Sequence, residues 1–169
     1  MAHPARNACP EKVLSSARVF FVSTKTSMAR RLLQSERNAM LLIDELRSNV
    51  ATGKFQLHDF VIMPDHLHLL MTLPGDIAIE KAMQLIKGGF SYRLKREFGH
   101  QREVWQRGFS EVRISDGQSF TRHREYIAQN PVKQGLPRLP SHTPTATLPG
   151  KAKSPGAKAQ IFVEPQRPD

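Results

Sequence analysis

The patterning of this chain predicts an α+β domain, a four-stranded antiparallel sheet with two helices on one face and one more helix after it. Three features predict it: a β-branched and aromatic run at Val19-Phe20-Phe21-Val22, two apolar runs at 55–63 and 66–73 parted only by Pro64-Asp65, and two stretches with apolar residues at helical spacing. Residues 18–24 are the first strand, because β-branched and aromatic side chains favour the pleated backbone. Ser35 then serves as an N-cap for a helix of about 15 residues, with Ala39, Leu42, Ile43 and Leu46 on its buried side. The two runs on either side of Pro64-Asp65 have so short a connector that they form an antiparallel hairpin or a tightly bent pair.

After Pro74-Gly75-Asp76, residues 77–98 read as a long amphipathic helix with Ile79, Met83, Ile86, Phe90 and Leu94 facing inward. Val104-Trp105 and residues 109–114 are the last extended segment. Residues 118–129 form the last helix, and Asn130-Pro131 is expected to end it, since a residue before proline is pushed out of the α region. The order βαββαβ with a further helix is the ferredoxin-like arrangement. The domain should run over 17–136, behind a flexible arm at 1–16. Beyond Leu136 the chain turns rich in Pro, Ser, Thr, Lys and Ala, which predicts a disordered basic tail over 137–169.

The net charge is +10, so the surface must attract polyanions, either nucleic acid or an anionic membrane. No run approaches the roughly 18 to 20 apolar residues of a membrane span, and the first residues lack the apolar stretch of a signal peptide. The expected location is the cytoplasm. With a single cysteine, Cys9, there is no internal disulfide and no Cys-x-x-Cys zinc site, so any metal must use nitrogen and oxygen ligands.

His66-Leu67-His68 is the first candidate for chemistry. Alternate side chains of a strand share a face, so the two imidazoles project together from the sheet's open face while Leu67, Leu69 and Met71 pack under the helices. Such a pair can chelate one divalent ion, although a His-x-His on a strand is more often only polar and half-exposed. Tyrosines are few, Tyr92 and Tyr126. Tyr126 stands among Arg122, His123 and Arg124, where positive charge would hold a phosphate; the alternative is a ring packed on the sheet. Asn130, four residues on, shares nearly the same helix face and offers an amide oxygen, or else merely ends the helix.

Trp105, Arg107 and Phe109 combine aromatic faces with a cation, a set suited to unpaired bases and phosphate, and equally to core packing. Lys87, Arg93, Lys95 and Arg96 on the long helix are at least a solvated face. Gly88-Gly89 inside that helix costs roughly 1 kcal/mol per glycine relative to alanine, which suggests a close approach of another backbone or of DNA.

Taken in order, residues 59–70 with Met63-Pro64-Asp65-His66-Leu67-His68 at their centre, Ile86-Lys87-Gly88, Val104-Trp105-Gln106-Arg107-Gly108-Phe109, and His123-Arg124-Glu125-Tyr126-Ile127 followed by Asn130-Pro131-Val132-Lys133 resemble one family. It is the single-tyrosine HUH transposases, in the branch called REP-associated tyrosine transposases, and the resemblance runs from about Arg18 to Leu136. It implies an endonuclease and strand transferase acting on single-stranded DNA with a hairpin, such as REP-like palindromic repeats, as a monomer or homodimer and in association with the nucleoid. By position it implies Tyr126 as nucleophile, His66, His68 and Asn130 as ligands of Mg²⁺ or Mn²⁺, and Lys87, Arg93, Arg96, Trp105, Arg107, Arg122, Arg124 and Lys133 as DNA contacts. One departure is Gln129, a second amide beside Asn130. Two other functions stay open at this point: a non-catalytic single-stranded nucleic-acid-binding protein on the same scaffold, and a metal-dependent phosphodiesterase that uses water.

Overall fold

The computed structural model describes residues 16–133 and 158–161. Strands β1 (Arg18–Lys25), β2 (Gln56–Ile62), β3 (His66–Leu73) and β4 (Ser110–Ile114) form the antiparallel sheet in the order β4-β1-β3-β2. Helices α1 (Glu36–Ala51) and α2 (Ile79–Phe98) cover one face, and α3 (Gly117–Lys133) lies on the other. The βαββαβ order and the extra helix are therefore as the sequence predicts.

Alternation along the strands builds two cores. Leu67, Leu69 and Met71 of β3 join Phe20, Val22, Phe60 and Ile62 beneath α1 and α2. On the opposite side Val61, Met63, Leu70 and Ile114 pack with Ile127 of α3, and Phe21 and Phe120 border them. The smaller second core holds the helix that carries Tyr126.

Local chemistry sets the ends of the elements. The Ser35 side chain accepts from the Asn38 N–H and caps α1, and Gly99 ends α2 in the left-handed region at φ 66°. The β2–β3 turn closes with the Met63 N–H donating to the His66 carbonyl at 2.8 Å. Trp105 pairs with Thr26 as an isolated bridge, and continuous strand pairing begins only at Ser110.

Two expectations are corrected. Asn130-Pro131 does not end the last helix, which runs on to Lys133. The residue before proline is disfavoured in the α region, but that preference is modest, and tertiary burial of Asn130 outweighs it. Within the segment expected to be disordered, Lys158–Ile161 forms a fifth strand, β5, parallel to β2 with Asp59 opposite Lys158. In the antiparallel set β2 is an edge with unpaired backbone groups, and β5 pairs with them. The arm at 1–15 and the rest of the tail lie outside the described residues.

The glycine pair in α2 divides in role. A Cβ on Gly89 would run into the Glu45 carboxylate of α1, which already accepts from Asn49 Nδ2 at 3.0 Å, whereas one on Gly88 would meet nothing. Gly88→Ala is therefore expected to raise stability by about 0.5–1 kcal/mol. Gly89→Ala gains less or loses, because Glu45 must swing away and release Asn49. Urea unfolding midpoints of the two variants check the difference.

Candidate active site

β1, β3 and α3 build the site. The β1–β3 register sets Lys25 opposite His66 and Ser23 opposite His68, so the two histidines share the α3 face with Phe21. That face is not open, as the sequence suggested: α3 lies over it, and His66 and His68 are only 8% and 6% exposed. Their rings meet edge to face with centroids 4.8 Å apart.

Each imidazole has a distinct surrounding. His66 Nδ1 sits 2.6 Å from an Asp65 carboxylate oxygen, which favours a proton on that nitrogen and leaves Nε2 as an electron-pair donor. His68 Nδ1 is buried without a hydrogen-bond partner. Burial, then His66 and Lys25, push the His68 pKa down to about 4, so the ring is neutral at neutral pH. A neutral imidazole with a buried, unused nitrogen beside a second oriented imidazole suits a divalent cation. Among the described residues no group of three or more His, Cys, Asp or Glu side chains could hold a metal, so a third protein ligand would have to come from another residue type.

Tyr126 supplies the other half. Its ring stands edge-on to His68 at 5.5 Å and to Phe21 at 5.7 Å, and Phe21 in turn stacks on His68 at 5.5 Å. The side chain is 41% exposed, so its outer part is open to solvent. One turn further along α3, Asn130 is 4% exposed while Gln129 is exposed, so Asn130 is the buried one of the two amides. Tyr92, by contrast, lies exposed on α2 across the sheet, where Arg96 donates to its hydroxyl at 3.3 Å.

The residues expected to contact DNA divide into open and engaged groups. Arg107 and Arg122 are exposed. Lys87 donates to the Gln106 and Gly108 carbonyls, both at 2.8 Å, and so ties α2 to the loop before β4. Arg93 is paired with Glu97, an exposed contact that strands can compete for. The Arg124 guanidinium meets the buried Asp59 carboxylate at 3.5 Å and faces β2. Trp105 is corrected from stacking platform to core: it is 6% exposed, packs near Phe90 and donates its indole N–H to the Lys87 carbonyl at 3.1 Å. The side chain of Lys133 is outside the described set.

Three participants escape a sequence pattern. Asp65 reads as a turn residue, yet it orients His66. Phe21 reads as a core aromatic, yet it is the floor between His68 and Tyr126. His123, tilted against Phe21 at 4.8 Å, places its Nδ1 2.8 Å from the Ser119 carbonyl within its own helix. The available signal for Phe21 is its parity with Ser23 and Lys25 on β1.

Under the other end of α3, His58 Nε2 lies 2.6 Å from Thr72 Oγ1, and its ring is edge-on to Phe120. Burial first, and Arg124 second, hold its pKa below the ordinary 6.5. A folded-state pKa below the unfolded one means the stabilisation is complete above the ordinary value and is lost as pH falls through the folded one. Denaturant midpoints should therefore fall on acidification below about pH 6.5, and less steeply in His58→Asn.

A family model described as Transposase IS200 like matches residues 19–130. The chain is 32% identical over 120 residues to a protein of Haemophilus influenzae named for the REP-associated tyrosine transposases, covering 65% of each. It is 31% identical over 95 residues to the REP-associated tyrosine transposase of Escherichia coli K12, covering 56% of this chain and 54% of that one. The match thus spans about two thirds and about half of those relatives. A solved REP-associated tyrosine transposase bound to a REP hairpin superposes with TM-score 0.56 and 26% identity over 80% of this chain and 75% of that one. A transposase-like protein of Deinococcus radiodurans R1, at 18% identity, 76% and 97% coverage and TM-score 0.52, shares the fold. No helix among the described residues is long and apolar enough to cross a membrane.

Proposed function

The chain belongs to the family of IS200-like transposases, and on that premise we propose that it cuts and rejoins hairpin-bearing single-stranded DNA through a covalent tyrosine intermediate. The observation that carries this is the meeting of Tyr126 with the His66–His68 pair across β3 and α3. A structure of a REP-associated tyrosine transposase bound to a REP hairpin, 26% identical, supports palindromic repeat DNA as the substrate class.

In this mechanism the Tyr126 oxygen attacks phosphorus of the scissile phosphodiester. The P–O3′ bond breaks, the upstream strand leaves with a 3′ hydroxyl, and the downstream strand stays on the tyrosine through its 5′ phosphate. The phosphoester bond is exchanged, not hydrolysed, so an incoming 3′ hydroxyl can reverse the step on a new strand. His66, His68 and Asn130 would hold Mg²⁺ or Mn²⁺, which when bound supplies Lewis-acid neutralisation of phosphate charge. Asp65 keeps His66 in the tautomer that leaves Nε2 available. Phe21 holds the His68 and Tyr126 rings in register and adds apolar surface that limits water around them. Exposed Arg107 and Arg122 offer charge to the strand.

The test uses a strand carrying a palindromic hairpin, labelled at either end, with Mn²⁺ or Mg²⁺. The expected product is a denaturation-resistant adduct bearing only the 3′-side label, with release of the other fragment. Turnover without any protein-linked DNA would replace this mechanism by water-mediated hydrolysis. Hairpin binding that survives EDTA, with no cleavage of repeat-derived hairpins under either ion, would leave a binding protein on this scaffold.

A further inference from the structure

A β-bulge in β2 carries an inference about how the tyrosine helix is held. The β2–β3 register passes from Leu57 opposite Met71 to Asp59 opposite Leu70, so His58 is an extra residue. Without the bulge, His58 and Asp59 would point to opposite faces. With it both face α3, His58 against Thr72 and Phe120, and Asp59 against Arg124. The Asp59 carboxylate is buried; one oxygen accepts from the Phe60 N–H at 3.0 Å and the other meets Arg124 Nε at 3.5 Å.

Helical geometry gives that pair leverage. At about 100° per residue, Arg124 and Tyr126 flank the stripe that Ile127 buries, one on each side. Among the described residues the apolar footing of α3 is chiefly Ile127, with Phe120 at its border. An apolar ridge alone resists rolling of a helix weakly, because dispersion and burial are non-directional. An ion pair on one flank fixes the roll and thereby the height of the side chain on the other.

We propose that Asp59 and Arg124 are positioning residues, an ion pair that sets the roll of α3 and so directs Tyr126 toward His66 and His68. The proposal rests on Tyr126 as the nucleophile, and it gives Arg124 an inward role in place of a phosphate contact. Neither residue touches the reacting atoms.

The experiment compares Arg124→Gln, Arg124→Lys, Asp59→Asn and the double variant Asp59→Asn/Arg124→Gln. Asp59→Asn keeps an oxygen for the Phe60 N–H and guards against a simple folding defect. Single-turnover adduct formation is measured on the hairpin strand that the native protein cleaves, beside hairpin affinity at several salt concentrations and hydrogen exchange of the α3 amides. The expected result is a ten- to hundredfold slower adduct step in Arg124→Gln and Asp59→Asn, with affinity and its salt slope unchanged. The double variant should be no slower than the slower single, because the coupling is already lost. Arg124→Lys should recover part of the rate, and α3 amides should exchange faster in every variant that breaks the pair.

Weaker hairpin binding with a salt slope reduced by about one in Arg124→Gln would make Arg124 a phosphate contact and overturn the proposal. Multiplicative rate losses in the double variant, or unchanged α3 exchange, would overturn it too. If the native protein forms no adduct, the parent mechanism fails, and the exchange measurement alone still decides whether the pair docks α3.

Discussion

Tyr126→Phe is expected to abolish the covalent adduct and slow strand cleavage by about four orders of magnitude or more, while the protein stays folded and still binds its hairpin. Removing a nucleophile removes the whole covalent route, and what remains is binding and electrostatics. The substitution is mild structurally, because the contacts of Tyr126 with His68 and Phe21 are made by its ring. Stability should therefore change by about 1 kcal/mol or less. Denaturing gels with labelled strand read the adduct, and gel shifts read the hairpin. Retained adduct in Tyr126→Phe would move the nucleophile elsewhere, and Tyr92→Phe is the control. Tyr92 lies on α2, on the far side of the sheet from the histidines, so its loss should leave the chemistry unchanged.

The fold was legible because its signals are local. Leu67, Leu69 and Met71 alternate with His66, His68 and Leu70, and that alternation assigns both faces of β3 before any neighbour is known. Ser35 marks the start of α1 through the chemistry of its own side chain, which accepts from the Asn38 N–H. The parts that were not legible depend on partners. The bulge at His58 exists only relative to the β3 register. The burial of His68 depends on a neighbour from another element, Tyr126 of α3, and no pattern within the strand encodes that.

Trp105 shows the same limit from the other side. Its neighbours Arg107 and Phe109 suit a nucleic-acid platform as well as a core, and the outcome turns on the Lys87 carbonyl that receives its indole N–H. Composition likewise averages over long stretches. A tail rich in Pro, Ser and Lys still contains Ala159-Gln160-Ile161, enough backbone to pair along the edge of β2. Of the candidate site, the grouping of Tyr126 with the two histidines is expected from motif order, and the structure brings the three rings together, but their neighbours Asp65 and Phe21 emerge only when β1, β3 and the turn before β3 are assembled.

The second large effect concerns His68, where chemistry and stability should part company. A buried imidazole nitrogen with no partner is a defect for folding, worth about 1–3 kcal/mol in comparable cases. His68→Leu removes that nitrogen while keeping apolar bulk against Phe21 and Tyr126. It is expected to leave stability unchanged or raise it by about 1 kcal/mol, and to cut metal-dependent adduct formation by about 10²–10³-fold. Hairpin affinity in EDTA should hold, since His68 faces the protein interior. The checks are thermal unfolding without metal, Mn²⁺ binding without DNA, and single-turnover adduct formation across a Mn²⁺ titration. His66→Leu should lose Mn²⁺ binding similarly but gain less stability, because its Nδ1 already has Asp65 as a partner. Asp65→Asn should weaken the metal by about 10- to 100-fold through loss of ring orientation. If His68→Leu instead destabilises the fold and leaves Mn²⁺ binding and adduct formation intact, the imidazole is a packing element and the metal lies elsewhere.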